Sequence, residues 1–145
     1  PANTSDTLST YADNGLYFRN APSDVLQGAL IAQLVIEDGN QSAYVLNLDD
    51  AYGNGLAATV AEVLEASGIE VLGVKAYDPA AASFDAEVDE IVNADPDAVV
   101  LISFDEGSRI LRTAVEKGVG PQTKAYYGSD GNMGNALGEN FDAGN

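Results

Sequence analysis

The segment "AVVLISF", residues 98–104, constrains the fold more than any other part of the chain. An almost unbroken apolar run of this length predicts a strand covered on both faces, the situation of a central strand in a parallel sheet. The segments around it alternate between two periodicities. "SAYVLNL" (42–48), "IEVLGVKAY" (69–77) and "TKAYYGS" (123–129) read as strands. "GLAATVAEVLEASG" (55–68), "SFDAEVDEIVNA" (83–94) and "EGSRILRTAVEKG" (106–118) place apolar residues at helical spacing. Ahead of them, "APSDVLQGALIAQLVIEDGN" carries Val25, Leu26, Leu30, Leu34 and Val35 at helical spacing. Ser23 or Asp24 is placed to cap it and Gly39 to end it.

The order αβαβαβαβ with right-handed crossovers predicts an α/β fold of three layers. Its parallel sheet is expected in the order 2-1-3-4. Residues 1–20 read as an extended lead-in, and residues 21–145 as the folded unit. The Gly- and Asn-rich tail from Gly131 is expected to add neither a strand nor a closing helix. The lead-in has no strand of its own, so the chain reads as part of something longer.

Ligands of open parallel sheets bind outside the carboxyl ends of the strands. Those ends read "DDAYGNG", "YDPAAAS", "FDEG" and "GSDGN". Each carries a carboxylate, and Tyr52, Tyr77, Phe104 and Tyr127 stand close by. An acidic, aromatic rim suits a cation with an organic body.

Composition removes several other chemistries. Six Lys+Arg against 23 Asp+Glu give a net charge of −17, which repels nucleic acid and anionic membranes. The absence of cysteine and histidine excludes disulfides, imidazole-based triads and the usual zinc sites. Gly53, Gly55 and Ala58 match a dinucleotide-binding pattern, but Asp49 and Asp50 intervene before the glycines and would repel a pyrophosphate. The same aspartates suggest a rival reading, a receiver-like domain that binds Mg²⁺ and is phosphorylated on Asp105. Lys124, however, begins its strand rather than ending it. "DGNMGNALGENF" starts like a calcium loop and fails at Asn135 and Phe141.

Five segments in order resemble one family along the whole chain. "TLSTYADNGLYFRNAPSDVLQG", "DDAYGNGLA", "SFDAEVDEI", "ILRTAVEKG" and "YYGSDG" are similar to the C-terminal lobe of type I extracytoplasmic solute-binding proteins of ABC importers, in the leucine/isoleucine/valine-binding family. The resemblance implies a non-enzymatic lobe that lacks its N-terminal partner, needs no cofactor, and lies outside the cell membrane. Its ligand would be an amino acid captured by hinge closure and delivered to a membrane permease. The isolated piece would be open to self-association. The resemblance assigns Tyr52 to the wall that packs on the ligand and Phe104 to a second aromatic, usually tyrosine. Asp130 takes the place of the carboxylate that receives the α-ammonium, usually glutamate. Ala2 and Thr4 fall where the crossover helps bind the α-carboxylate. No catalytic or metal-binding residue is implied.

Overall fold

The computed structural model describes residues 3–140. Four parallel strands, β1 (Ser42–Leu48), β2 (Glu70–Tyr77), β3 (Ala98–Ile102) and β4 (Ala125–Gly128), lie in the order β2-β1-β3-β4, as the crossover rule predicts. The register pairs Val45 with Val74 and with Val100, and Val100 in turn with Tyr127. All of β3 and all but the first residue of β1 are buried. The edge strand β2 mixes exposed and covered residues.

The helices are α1 (Asp24–Glu37), α2 (Ala51–Ala66), α3 (Asp85–Ala94), α4 (Gly107–Glu116) and a short α5 (Asn135–Asn140). α1 packs beside α2, and α3 beside α4. On α2, Leu56, Val60 and Leu64 recur at helical spacing and are fully buried. Each contributes about 1.5–3 kcal/mol relative to an exposed position. Ile110, Leu111 and Ala114 do the same for α4.

Three expectations need correction. First, α2 begins at Ala51 rather than residue 55. Asp50 has extended backbone, and its Oδ1 accepts the Gly53 N–H at 2.7 Å, so the helix is capped four residues earlier than its apolar pattern suggests. Tyr52, Gly53 and Gly55 therefore lie on the first turns of a helix and not in a loop.

Second, the tail does close on a helix. A 3₁₀ turn, Asp130–Asn132, and α5 follow β4, and α5 packs near α4.

Third, α1 buries Gly28, Ile31, Ala32 and Val35, while Val25, Leu26, Leu30 and Leu34 remain about half exposed. The helix turns its small residues inward because it lies close to α2. A Cβ on Gly28 would come within 2.7 Å of Thr59 Cγ2. Ser23 occupies the cap position but makes no side-chain cap bond, and Asp24 is buried in the first turn. Gly39 ends the helix with φ +81°, in the expected left-handed conformation.

Candidate functional site

The carboxyl ends of β1, β3 and β4 bring together residues far apart in sequence. Tyr52 stands on the first turn of α2, Phe104 follows β3, and Asp130 opens the 3₁₀ turn after β4. The Tyr52 and Phe104 rings stack with centroids 5.6 Å apart and planes inclined by 23°. The Tyr52 hydroxyl donates to Asp130 Oδ1 at 2.7 Å. Burial, and to a lesser degree the Asp130 carboxylate, push the Tyr52 phenol well above its ordinary pKa, so it stays a neutral donor. These three residues border a cavity of about 520 Å³ whose other walls include Thr4, Leu8 and Asp50.

The lead-in folds over this end of the sheet. The Thr4 carbonyl accepts the Asp24 N–H at 2.9 Å, which fastens the segment to the start of α1. Arg19 holds it from the other side. Its Nη1 donates to the Thr4 and Ser5 carbonyls at 3.3 and 3.1 Å, and its Nη2 to Ser9 Oγ at 2.8 Å. Thr4, Tyr52, Phe104 and Asp130 thus line one cavity. Ala2 lies outside the described residues.

Sequence reasoning missed the side chains that set this geometry. Asn132 is buried, and its Nδ2 donates to the Leu101 carbonyl and to Ser103 Oγ, both at 3.1 Å. That pair of bonds docks the 3₁₀ turn on the end of β3 and fixes where Asp130 starts. The fit leaves no room at Gly131, where a Cβ would lie 2.6 Å from the Ser103 carbonyl and 3.0 Å from the Phe104 ring. On the opposite side, Glu106 Oε1 accepts the Phe104 N–H at 3.0 Å and the Tyr77 hydroxyl at 2.8 Å. Tyr77 is buried and closes edge-on against Phe84, so it belongs to the core and not to the cavity. The only signal for Asn132 was its place in "GSDGN", beside the carboxylate.

Asp24 is the unusual member. It is 1% exposed, and neither carboxylate oxygen has a hydrogen-bond partner among the described residues. Burial pushes its pKa above the ordinary value, the nearby Thr4 hydroxyl opposes that shift, and the Asp130 charge adds to it.

Asp49 and Asp50 do not act as a pair. Asp49 Oδ1 accepts from Asn54 Nδ2 at 3.0 Å on the exposed side of the turn, while Asp50 caps α2. Lys124 binds Asp95 at 2.6 Å, at the start of β4 and away from the strand ends that form the cavity. Among the described residues no group of three or more Asp or Glu side chains could hold a metal ion.

Most of the chain has the fold of solved solute-binding proteins. A leucine-binding protein from Thermotoga maritima has the same fold, with a TM-score of 0.77 and 22% identity, over 84% of this chain and 35% of that one. An ABC-transporter solute-binding protein from R. palustris, solved with 4-hydroxybenzoate, gives a TM-score of 0.67 and 12% identity over 73% of this chain and 29% of that one. An uncharacterised protein of Methanocaldococcus jannaschii is 27% identical over 99 residues, 65% of this chain and 24% of its own length. The chain therefore spans about a third or less of the length of these relatives. The model of the periplasmic binding protein family matches residues 2–144. With its parallel sheet in the order β2-β1-β3-β4 and its cavity at the strand ends, the chain belongs to the periplasmic binding protein family.

Proposed function

We propose that this chain is the C-terminal, ligand-binding lobe of an extracytoplasmic binding protein that captures an amino acid for an ABC importer. One observation carries the reading. A carboxylate, Asp130, is held by the Tyr52 hydroxyl beside the stacked faces of Tyr52 and Phe104, at the mouth of a cavity of about 520 Å³. An α-ammonium gains an anionic partner there, and the ligand's body packs on the rings. Thr4, on the crossover, faces the ligand's α-carboxylate, a part the resemblance extends to Ala2, and residues 1–20 lead in from a second lobe. Closure of that lobe over residues 21–145 expels water, as in the hinge motion of periplasmic binding proteins. The permease then receives the closed form. Phe104 offers no hydroxyl, and Asp130 reaches one methylene less far than a glutamate, so a branched aliphatic ligand is not presupposed.

A thermal-shift screen against amino acids and small aromatic acids tests the reading. Stabilisation by one or a few amino acids, lost in Asp130→Asn, supports it. Stabilisation by aromatic acids alone, unaffected by Asp130→Asn, overturns the ammonium assignment. The exposed Leu26, Leu30 and Leu34 and the edge strand β4 also give the chain a surface for self-association. Sedimentation as a clean monomer at high concentration would remove that part of the proposal.

A further inference from the structure

We propose that the ligand of this cavity carries net positive charge, as an amine or an amino acid with a second cationic group. The inference rests on the cavity being the ligand site and goes further by specifying the ligand's overall charge. Two carboxylates, Asp130 and Asp50, line the cavity, and among the described residues that line it none is basic. Arg19, which fastens the lead-in, holds its guanidinium on the Thr4 and Ser5 carbonyls and Ser9 Oγ behind the lining, where its single charge offsets only part of the two lining carboxylates.

A third carboxyl group, whose charged form is disfavoured, stands behind the wall and adds little to its charge. Asp24 is buried, neither of its oxygens has a hydrogen-bond partner among the described residues, and its N–H donates to the carbonyl of Thr4, itself a lining residue. Its repulsion by Asp130 adds to the effect of burial in disfavouring its charged form. The stacked rings of Tyr52 and Phe104 add two more electron-rich surfaces.

A zwitterion brings no net charge to this wall, and an anion adds to the excess. A cationic amine neutralises it and finds both carboxylate and ring-face partners. The contributions are unequal. Asp50 already gives one oxygen to the Gly53 N–H and is partly balanced by the positive end of α2, so Asp130 carries the larger share.

The test is an amide chemical-shift titration of this chain with four probes: cadaverine, L-lysine, L-leucine and 4-hydroxybenzoate. About 0.5 M NaCl, where screening falls to a few ångströms, suppresses general attraction to the −17 surface. The proposal predicts saturable shifts centred on Tyr52, Phe104 and Gly131 for cadaverine and L-lysine, with Kd at least about tenfold below that of L-leucine. Asp130→Asn should weaken both cations by about tenfold or more, and Asp50→Asn by a few-fold, because asparagine keeps the helix cap while removing the charge. L-Leucine binding as tightly as the cations would overturn the charge assignment and leave the amino-acid reading standing. Tightest binding of 4-hydroxybenzoate would overturn both. Cation shifts spread over the whole acidic surface, indifferent to Asp130→Asn, or no localised shift with any probe, would also overturn the proposal.

Discussion

The Tyr52 hydroxyl reaches Asp130 Oδ1 across 2.7 Å, joining the first turn of α2 to the turn after β4 over a separation of 78 residues. The bond aims a carboxylate that would otherwise rotate in solvent, and it does so without neutralising it. Tyr52→Phe keeps the ring stacked on Phe104 but removes the donor. Thermal or denaturant unfolding should show a loss of only about 0.5–1.5 kcal/mol, the net value of one hydrogen bond. In the crystal structure of the variant, the Asp130 side chain should adopt more than one rotamer while the Tyr52–Phe104 stack persists. A single unchanged Asp130 rotamer would show that Asn132 and the turn suffice to hold it.

Gly53 and Gly55 look equivalent in the sequence and are not. A Cβ on Gly53 would lie 2.1 Å from the Leu48 carbonyl, where the first turn of α2 packs on the end of β1. Nothing lies within 4 Å of the corresponding position on Gly55. Gly53→Ala is therefore expected to destabilise the fold by about 1–3 kcal/mol or more through backbone displacement. Gly55→Ala should stabilise it by up to about 1 kcal/mol, the helix-propensity gain over glycine. Chemical denaturation of the two variants separates these outcomes, and equal effects would contradict the helix start at Ala51.

That pair also marks where sequence reading reached its limit. The strands and their order were legible because a near-continuous apolar run and crossover handedness leave few topologies. The start of α2 was not, because a cap bond between Asp50 and Gly53 outweighs the apolar pattern, which begins only at Leu56. The inward face of α1 was also misleading. Close approach to α2 favours Gly28 and Ala32 over the leucines, so the buried stripe is not the most apolar one. In the site, Tyr52, Phe104, Asp130 and Thr4 fall together around one cavity. Asn132, Glu106 and Asp24 had no local pattern to reveal them, since their roles depend on contacts with distant strands and segments.

Asp24 predicts an unusual pH response. Its pKa is raised in the folded chain above the ordinary aspartate value, chiefly by burial. The folded state therefore holds the proton more tightly than the unfolded one. The contribution of this group is most favourable below its unfolded pKa and is lost as pH rises through the folded value. Asp24→Asn removes the ionisable group, so it should raise the melting temperature near neutral pH by a few degrees. The advantage should shrink as pH falls toward the unfolded pKa. Melting curves for the two proteins across this range check it. A variant that is less stable near neutral pH would mean that the carboxylate is compensated by a partner such as Thr4.

The central claim, that Asp130 receives a ligand cation, is tested most directly by calorimetric titration of Asp130→Asn and Asp49→Asn with the amino acid or amine that stabilises the parent protein most. Asp130→Asn preserves shape and removes the charge at the mouth of the cavity. Once the pair is enclosed, binding should weaken by roughly 2–5 kcal/mol. Asp49, on the exposed side of the turn and bonded to Asn54, should matter by less than about 1 kcal/mol. Equal losses in the two variants, or a larger loss in Asp49→Asn, would contradict the account and place the site at the aspartate pair after β1.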